Sequence, residues 1–273
     1  MTNEDSTLSV RQGMRILLTG AARGIGRAMA ERLARDSLQR HGAPARMVLA
    51  DLHESELAEL AERLRADGAE VRAITADMAD PQVPARLVEA AADFGGLDAV
   101  VSNAGFAIPS PLLDARVEDW ETVFAVHVRA AWLLGRAAHP LLKAARGCIV
   151  VTTSIAGSHP TAPLAAYSPS KAAALMLVRQ MALEWGPDGI RATALSPGVT
   201  ETPGTAPVYA DPQSRAQREA RVPLRRIAQA EDMANALSFL VGPDAGYVSG
   251  TELLVDGGLS TGLMGSLNMG GWQ

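Results

Sequence analysis

Tyr167 and Lys171 are the residues of this chain whose types and spacing most clearly suggest chemistry. They stand four apart in Ala166-Tyr167-Ser168-Pro169-Ser170-Lys171, so on a helix a phenol and an ammonium share one face about a turn apart. A free phenol titrates near ~10, and a nearby cation favours its ionised form. Tyr167 is therefore a candidate general acid or base, with Lys171 expected to lower its pKa. Pro169 lacks an amide hydrogen and is tolerated in a first helical turn, which places Tyr167 near the start of its helix. A third polar group, Ser154, lies thirteen residues before Tyr167. The Tyr-Lys pair alone also suits any surface helix, so the rest of the chain has to decide.

Far upstream, Thr19-Gly20-Ala21-Ala22-Arg23-Gly24-Ile25-Gly26 follows a short apolar run and opens a helical pattern. Its glycines let the backbone approach a pyrophosphate, and free N–H groups at a helix N-terminus favour an anion. Close packing alone would also account for such a turn. The next strand pattern, however, ends in Asp51, where an adenosine ribose needs an acceptor. The gap from Gly26 to Asp51 exceeds the usual ~20 residues, and residues 39–45 read as a small loop insertion. Asp51 repels the 2′-phosphate of NADP while Arg23 attracts it. Two unit charges ~4 Å apart at an effective dielectric near 20 interact by about 4 kcal/mol. Arg23 can turn to solvent, so the expectation is NAD(H). A dinucleotide turn combined with a phenol–ammonium pair reads as a nicotinamide-dependent oxidoreductase.

These groups need a frame. Short, almost continuously apolar runs at 15–19, 47–50, 71–75, 99–102, 148–153, 191–195 and 252–255 read as strands, separated by helical patterns at about 25–40, 54–66, 81–94, 116–145, 166–185 and 230–241. Apolar strands alternating with helices predict an α/β fold of the Rossmann type: a doubly wound, mainly parallel seven-stranded sheet with helices on both faces. Residues 14–258 form the single expected domain, between a polar tail at 1–13 and a C-terminal tail at 259–273. The irregular stretch 197–228 reads as a substrate lid.

Composition narrows the partners. The 273 residues are 48% hydrophobic, enough for one full core, and the net charge of −5 comes without a basic block, which argues against nucleic acid or anionic lipid. No leader is read at the polar N-terminus, and no apolar run approaches the ~18 residues of a membrane span; a cytoplasmic location is expected. The single cysteine, Cys148, lies in an apolar run and reads as a buried structural thiol. Metal-ligand spacing is not found, so no metal is expected.

On these motifs the chain resembles the short-chain dehydrogenase/reductase family over residues 14–258. Thr19 to Gly26 fits its TGxxxGxG turn, Asp77 with Met78 its adenine-side position, and Asn103-Ala104-Gly105 its NAG motif. Pro197-Gly198-Val199-Thr200-Glu201-Thr202 fits PGxxxT, and Asp256-Gly257-Gly258 fits the C-terminal DGG. The resemblance implies that Tyr167 exchanges the hydroxyl proton of a small-molecule secondary alcohol or ketone while Ser154 holds its oxygen. Lys171 then lowers the phenol pKa and contacts the nicotinamide ribose. It also implies cofactor contacts from Gly20, Arg23, Gly24, Ile25, Gly26, Asp51, Leu52, Asp77, Met78, Asn103, Ala104, Gly105, Tyr167, Lys171, Pro197, Gly198, Thr200 and Thr202. Pairing of the helices at 116–145 and 166–185 across subunits is implied too, giving a homo-oligomer, a tetramer or a dimer.

One catalytic position departs from the family, because His127 stands where an asparagine is usual. Its ring could relay protons from Lys171, since imidazole titrates near neutrality, or its backbone carbonyl could suffice while the ring bonds locally. The second account is the expected one. Arg215, Arg218 and Arg221 could receive an anionic substrate but read better as a solvated face, and His159 as a solvent-facing loop residue. Phe106, Ile108, Ile155, Pro163, Val199 and Tyr209 are further pocket candidates of mixed apolar character. Two other readings remain open: a 3-oxoacyl thioester reductase and a non-catalytic dinucleotide sensor.

Overall fold

The computed structural model describes residues 13–262. Its strands are β1 (Arg15–Thr19), β2 (Arg46–Asp51), β3 (Glu70–Thr75), β4 (Ala99–Ser102), β5 (Cys148–Thr152), β6 (Arg191–Pro197) and β7 (Glu252–Val255). They form one sheet in the order β3-β2-β1-β4-β5-β6-β7, with every pairing parallel. Side chains alternate between the two faces. Leu17, Val48, Val100 and Ile149 enter one core with the helices α3 (Val83–Ala92), α5 (Ala130–Ala145) and α6 (Tyr167–Trp185). Ile16, Leu18, Met47, Leu49 and Val150 enter the other, against α1 (Gly24–His41), α2 (Glu54–Ala66) and α9 (Ala230–Val241). Burial on both faces is what parallel strands require, and each such Leu or Ile contributes about 1.5–3 kcal/mol. The winding reverses between β1 and β4, so a crevice opens at their C-terminal ends.

The structure differs from the sequence expectations in three places. Of the loop expected at 39–45, residues 42–45 are loop while 39–41 complete α1, which Gly42 closes at φ 64° with its N–H on the Leu38 carbonyl at 3.0 Å. The last turn of α1 is held by α9, because Arg40 donates to the Ser238 carbonyl at 3.0 Å and to Ser238 Oγ at 2.7 Å. The single helix expected at 116–145 is interrupted: α4 (Val117–Phe124) leads into a wide π turn (Ala125–Arg129) before α5 begins. The stretch 197–228 is not irregular throughout, since it contains α7 (Ala206–Tyr209) and α8 (Pro212–Arg221). Asp211 caps α8 by accepting the Ser214 N–H at 2.8 Å. No residue of α8 is buried, so it carries no apolar stripe from which a helix could be read.

Of the two expected tails, 1–12 and 263–273 lie outside the described residues, while Leu259–Thr261 form one 3-10 turn. Among the described residues no helix is long and apolar enough to cross a membrane.

Candidate active site

The glycine turn leaves β1 and enters α1 at the crevice. A Cβ on Gly20, whose φ is +67°, would lie 2.8 Å from Ala104 Cα, and one on Gly26 would lie 1.8 Å from the Gly20 carbonyl oxygen. Side chains are thus excluded where a pyrophosphate must approach the backbone. Asn103 supports the glycine turn. Its amide donates to the Thr19 and Gly20 carbonyls at 3.2 and 3.1 Å, and its Oδ1 accepts from Thr152 Oγ1 at 3.1 Å. Thr19 Oγ1 in turn accepts the N–H groups of Asn103 and Ala104. Asn103 therefore braces the turn, with one Oδ1 lone pair left over.

Asp51 ends β2 beside this turn, with its side chain 9% exposed. Burial pushes its pKa up, but more than compensating are donations from Ala22 N–H at 2.9 Å to Oδ2 and from His53 N–H at 3.0 Å to Oδ1, with His53 Nδ1 2.9 Å from Oδ1. The carboxyl is held below its usual range. Arg23 and Leu52 are exposed on either side of the crevice, Ile25 is partly buried, and Asp77 is exposed with Oδ1 accepting the Ala79 N–H. Met78 is 6% exposed, its side chain packed into the core with Val83 and Leu87, so its backbone is the part that can face a ligand. At the far side, Thr200 Oγ1 donates to the Gly198 carbonyl at 3.1 Å, and Gly198 N–H pairs with Val255 beyond Pro197. A Cβ on Gly24 would sit 3.3 Å from Thr202 Cβ, so the root of the lid closes on the glycine turn.

The catalytic candidates converge from three elements. Lys171, on the second turn of α6, is 4% exposed and donates from Nζ to the Thr152 carbonyl at 2.9 Å, with Nζ 5.6 Å from the Tyr167 ring centroid. Burial lowers its pKa to about 8. Burial pushes Tyr167 above its ordinary 10.0, and Lys171 does not reverse this; the nearby Ser154 hydroxyl pulls the other way without closing a standard hydrogen bond. Ser154 itself follows β5 and its Oγ accepts the Ala156 N–H at 3.1 Å.

His127 sits in the π turn, 3% exposed, with its pKa lowered to about 2 by burial and then by the charge of Lys171. Nε2 is 3.2 Å from the Phe106 N–H and Nδ1 is 2.8 Å from Ser170 Oγ. The ring bonds locally, and its burial disfavours the charged form.

The chain's sequence matches, over residues 20–260, the model of a family described as enoyl-(acyl carrier protein) reductase. It is 35% identical to glucose 1-dehydrogenase of Gluconobacter oxydans over 252 residues, covering 91% of this chain and 92% of that protein. It is 34% identical to 3beta-hydroxysteroid dehydrogenase 1 of Eggerthella lenta, covering 91% and 94%. This chain belongs to the short-chain dehydrogenase/reductase family. A solved structure of a candidate NAD(P)-dependent gluconate 5-dehydrogenase from Beutenbergia cavernae, with NADP at low occupancy, superposes with a TM-score of 0.83 at 34% identity, covering 91% of this chain and 97% of that one. Members of the family bind a nicotinamide dinucleotide.

In this short-chain dehydrogenase/reductase, Ser154, Tyr167, Lys171 and His127 do gather at one edge of the sheet. A small pocket beside Tyr167 is lined by Ile108, Trp120, Val123 and Leu164. His159 and Pro163 are exposed loop residues, and Tyr209, at the end of α7, is buried. Arg215 is committed internally, its guanidinium gripping Glu201 at 3.0 and 2.9 Å and Glu219 at 3.1 Å, whereas Arg218 and Arg221 are exposed. Thr152, Ser170 and His53 were not singled out in the sequence. Each acts through one hydrogen bond or a few, and a lone Thr, Ser or His carries no spacing signal.

Proposed function

We propose that this chain interconverts a secondary alcohol and a ketone with NAD(H), acting in the cytoplasm as a homo-oligomer. The observation that carries this reading is the cluster of a buried Lys171 with the half-buried Ser154 and Tyr167, facing a crevice whose other wall is the glycine turn and an ionised Asp51. The fit to a dinucleotide rests on the cradle that a Cβ at Gly20 or Gly26 would fill and on Asp51 keeping an acceptor position on Oδ2. Gly20, Gly24, Ile25 and Gly26 would hold the pyrophosphate, Asp51 and Leu52 the adenosine ribose, Asp77 and the Met78 backbone the adenine side, and Gly198, Thr200 and Thr202 the nicotinamide end. Ala104 and Gly105 would line the floor. Bound there, the nicotinamide supplies the hydride acceptor or donor.

The chain's own groups handle the proton. Tyr167 Oη takes the alcohol's hydroxyl hydrogen during oxidation and returns it during reduction, Ser154 Oγ donates to the substrate oxygen, and the Lys171 ammonium stabilises the phenolate. Asp51 disfavours a 2′-phosphate, which supports NAD(H) over NADP(H), although the Beutenbergia structure carries NADP. The second reading is a 3-oxoacyl thioester reductase, acting on the 3-ketone of an acyl thioester; the description of the matching family model names an acyl carrier substrate too, with reduction of its enoyl double bond. The deciding experiment assays a panel of secondary alcohols with NAD and NADP, and 3-oxoacyl thioesters with NADH and NADPH. NAD-dependent alcohol oxidation is the expected outcome. Turnover confined to thioesters with NADPH would select the second reading, and dinucleotide binding with no turnover would select a sensor.

A further inference from the structure

We infer that the His127 imidazole is a positioning residue, a single-tautomer brace that ties the backbone after Gly105 to the first turn of α6 and thereby orients the Tyr167 phenol. This rests on the proposed role of Tyr167. The tautomer follows from the partners. The Phe106 N–H, 3.2 Å away, can only donate, so Nε2 accepts. Nδ1 then carries the hydrogen and donates to Ser170 Oγ at 2.8 Å, and Ser170 passes its own hydrogen to the Tyr167 carbonyl at 2.7 Å. All three bonds run in one direction, from Phe106 through the ring to the residue that holds the phenol. The opposite tautomer would set two N–H groups against each other at Phe106.

The ring also touches the phenol directly. The His127 and Tyr167 rings meet edge to face, with centroids 5.6 Å apart at 84°, an arrangement that aromatic pairs favour. Gly105 makes room for the brace, since a Cβ there would lie 3.0 Å from Nε2 and 3.3 Å from Lys171 Nζ. The charged or titratable groups against the ring are Lys171 and Tyr167 of α6. Taking up a proton would forfeit the Phe106 bond and place a cation next to the buried Lys171. The brace therefore couples the floor of the nicotinamide pocket to the proton carrier without carrying a proton itself.

The two legs of the brace can be cut separately. His127→Asn keeps a donor near the Nδ1 position for Ser170 but is too short for Phe106; Ser170→Ala removes the other leg; His127→Leu fills the space and removes both. On whichever alcohol of the panel is turned over, each single-leg variant is expected to lower kcat by about fivefold, the worth of one hydrogen bond. His127→Leu should lower it further, and adding Ser170→Ala to His127→Leu should change little, because the second leg is already gone. KM for the dinucleotide and the midpoint of the pH–kcat profile should stay where they are in the wild type. A midpoint displaced by about one pH unit or more in His127→Leu would make the ring a proton relay and overturn the inference. Wild-type kcat in all three variants would also overturn it, leaving the ring as packing only. Tyr167→Phe is run alongside: if that variant is fully active, the role of Tyr167 fails as well, whereas an inactive Tyr167→Phe beside unaffected His127 variants sinks the brace alone.

Discussion

Asp51 and Lys171 are both charged groups withdrawn from water at the same edge of the sheet, and they respond in opposite ways. Around Asp51 the backbone of the glycine turn and of His53 supplies enough donors to outweigh burial, and the carboxylate is stabilised. Around Lys171 there is one carbonyl acceptor, with the Tyr167 and His127 rings beside it, and burial takes its pKa down to about 8. Tyr167 and His127 are likewise pushed toward their neutral forms. Backbone donors keep a fixed charge at Asp51, whereas burial favours the neutral form of every group around Lys171.

The largest effect expected from this contrast is on turnover. Tyr167→Phe keeps the ring but removes the proton carrier, so kcat for alcohol oxidation should fall by about 10²–10⁴ while NAD affinity, measured by fluorescence titration, hardly changes. Near wild-type turnover would dissolve the catalytic half of the comparison.

Next comes stability. A lysine pKa lowered from 10.5 to about 8 opposes folding by up to ~3 kcal/mol wherever the group is charged in both states, and that penalty is full below about pH 8 and fades as pH rises toward 10.5. Lys171→Met should therefore raise the free energy of unfolding in urea at pH 7 while abolishing turnover. An unchanged or lower stability would mean that the Thr152 carbonyl compensates the burial.

A smaller effect is expected at His127, whose pKa falls from 6.5 to about 2. Below pH 6.5 the unfolded chain takes up a proton that the folded chain refuses, so stability is lost as pH falls, by ~1.4 kcal/mol per pH unit. Between pH 7 and pH 5 the wild type should lose ~2 kcal/mol that His127→Asn retains. Parallel losses in the two proteins would show that the ring is accessible to protons.

The smallest effect concerns the cradle. Asp51→Ala should move the ratio of kcat/KM for NAD to that for NADP by at least about tenfold toward NADP, because it removes the repulsion of the 2′-phosphate and one grip on the ribose. Arg23→Ala should move the ratio the other way by less, since Arg23 is exposed and its charge is screened. A ratio insensitive to Asp51 would mean that Ala22 and His53 use up its hydrogen-bonding capacity.

The amino-acid sequence by itself determined the α/β winding, all seven strands to within two residues, and the positions of Tyr167, Lys171, Ser154 and the glycine turn. Each of these is written in local patterns: continuous apolar runs for strands buried on both faces, glycines where a Cβ cannot fit, and a phenol and an ammonium one helical turn apart. Only the tertiary structure decided the rest. The last turn of α1, through His41, is held because α9 supplies partners for Arg40, and α8, with no buried face, is capped by Asp211. Asn103 became a brace because Thr19 and Thr152, remote in sequence, meet its side chain. The protonation states were the least legible of all. Spacing in sequence brings a phenol and an ammonium one turn apart, whereas the fold sets how far each is withdrawn from water, and burial shifts both toward their neutral forms. Desolvation depends on everything packed around a group, and that is a property no local stretch of sequence carries.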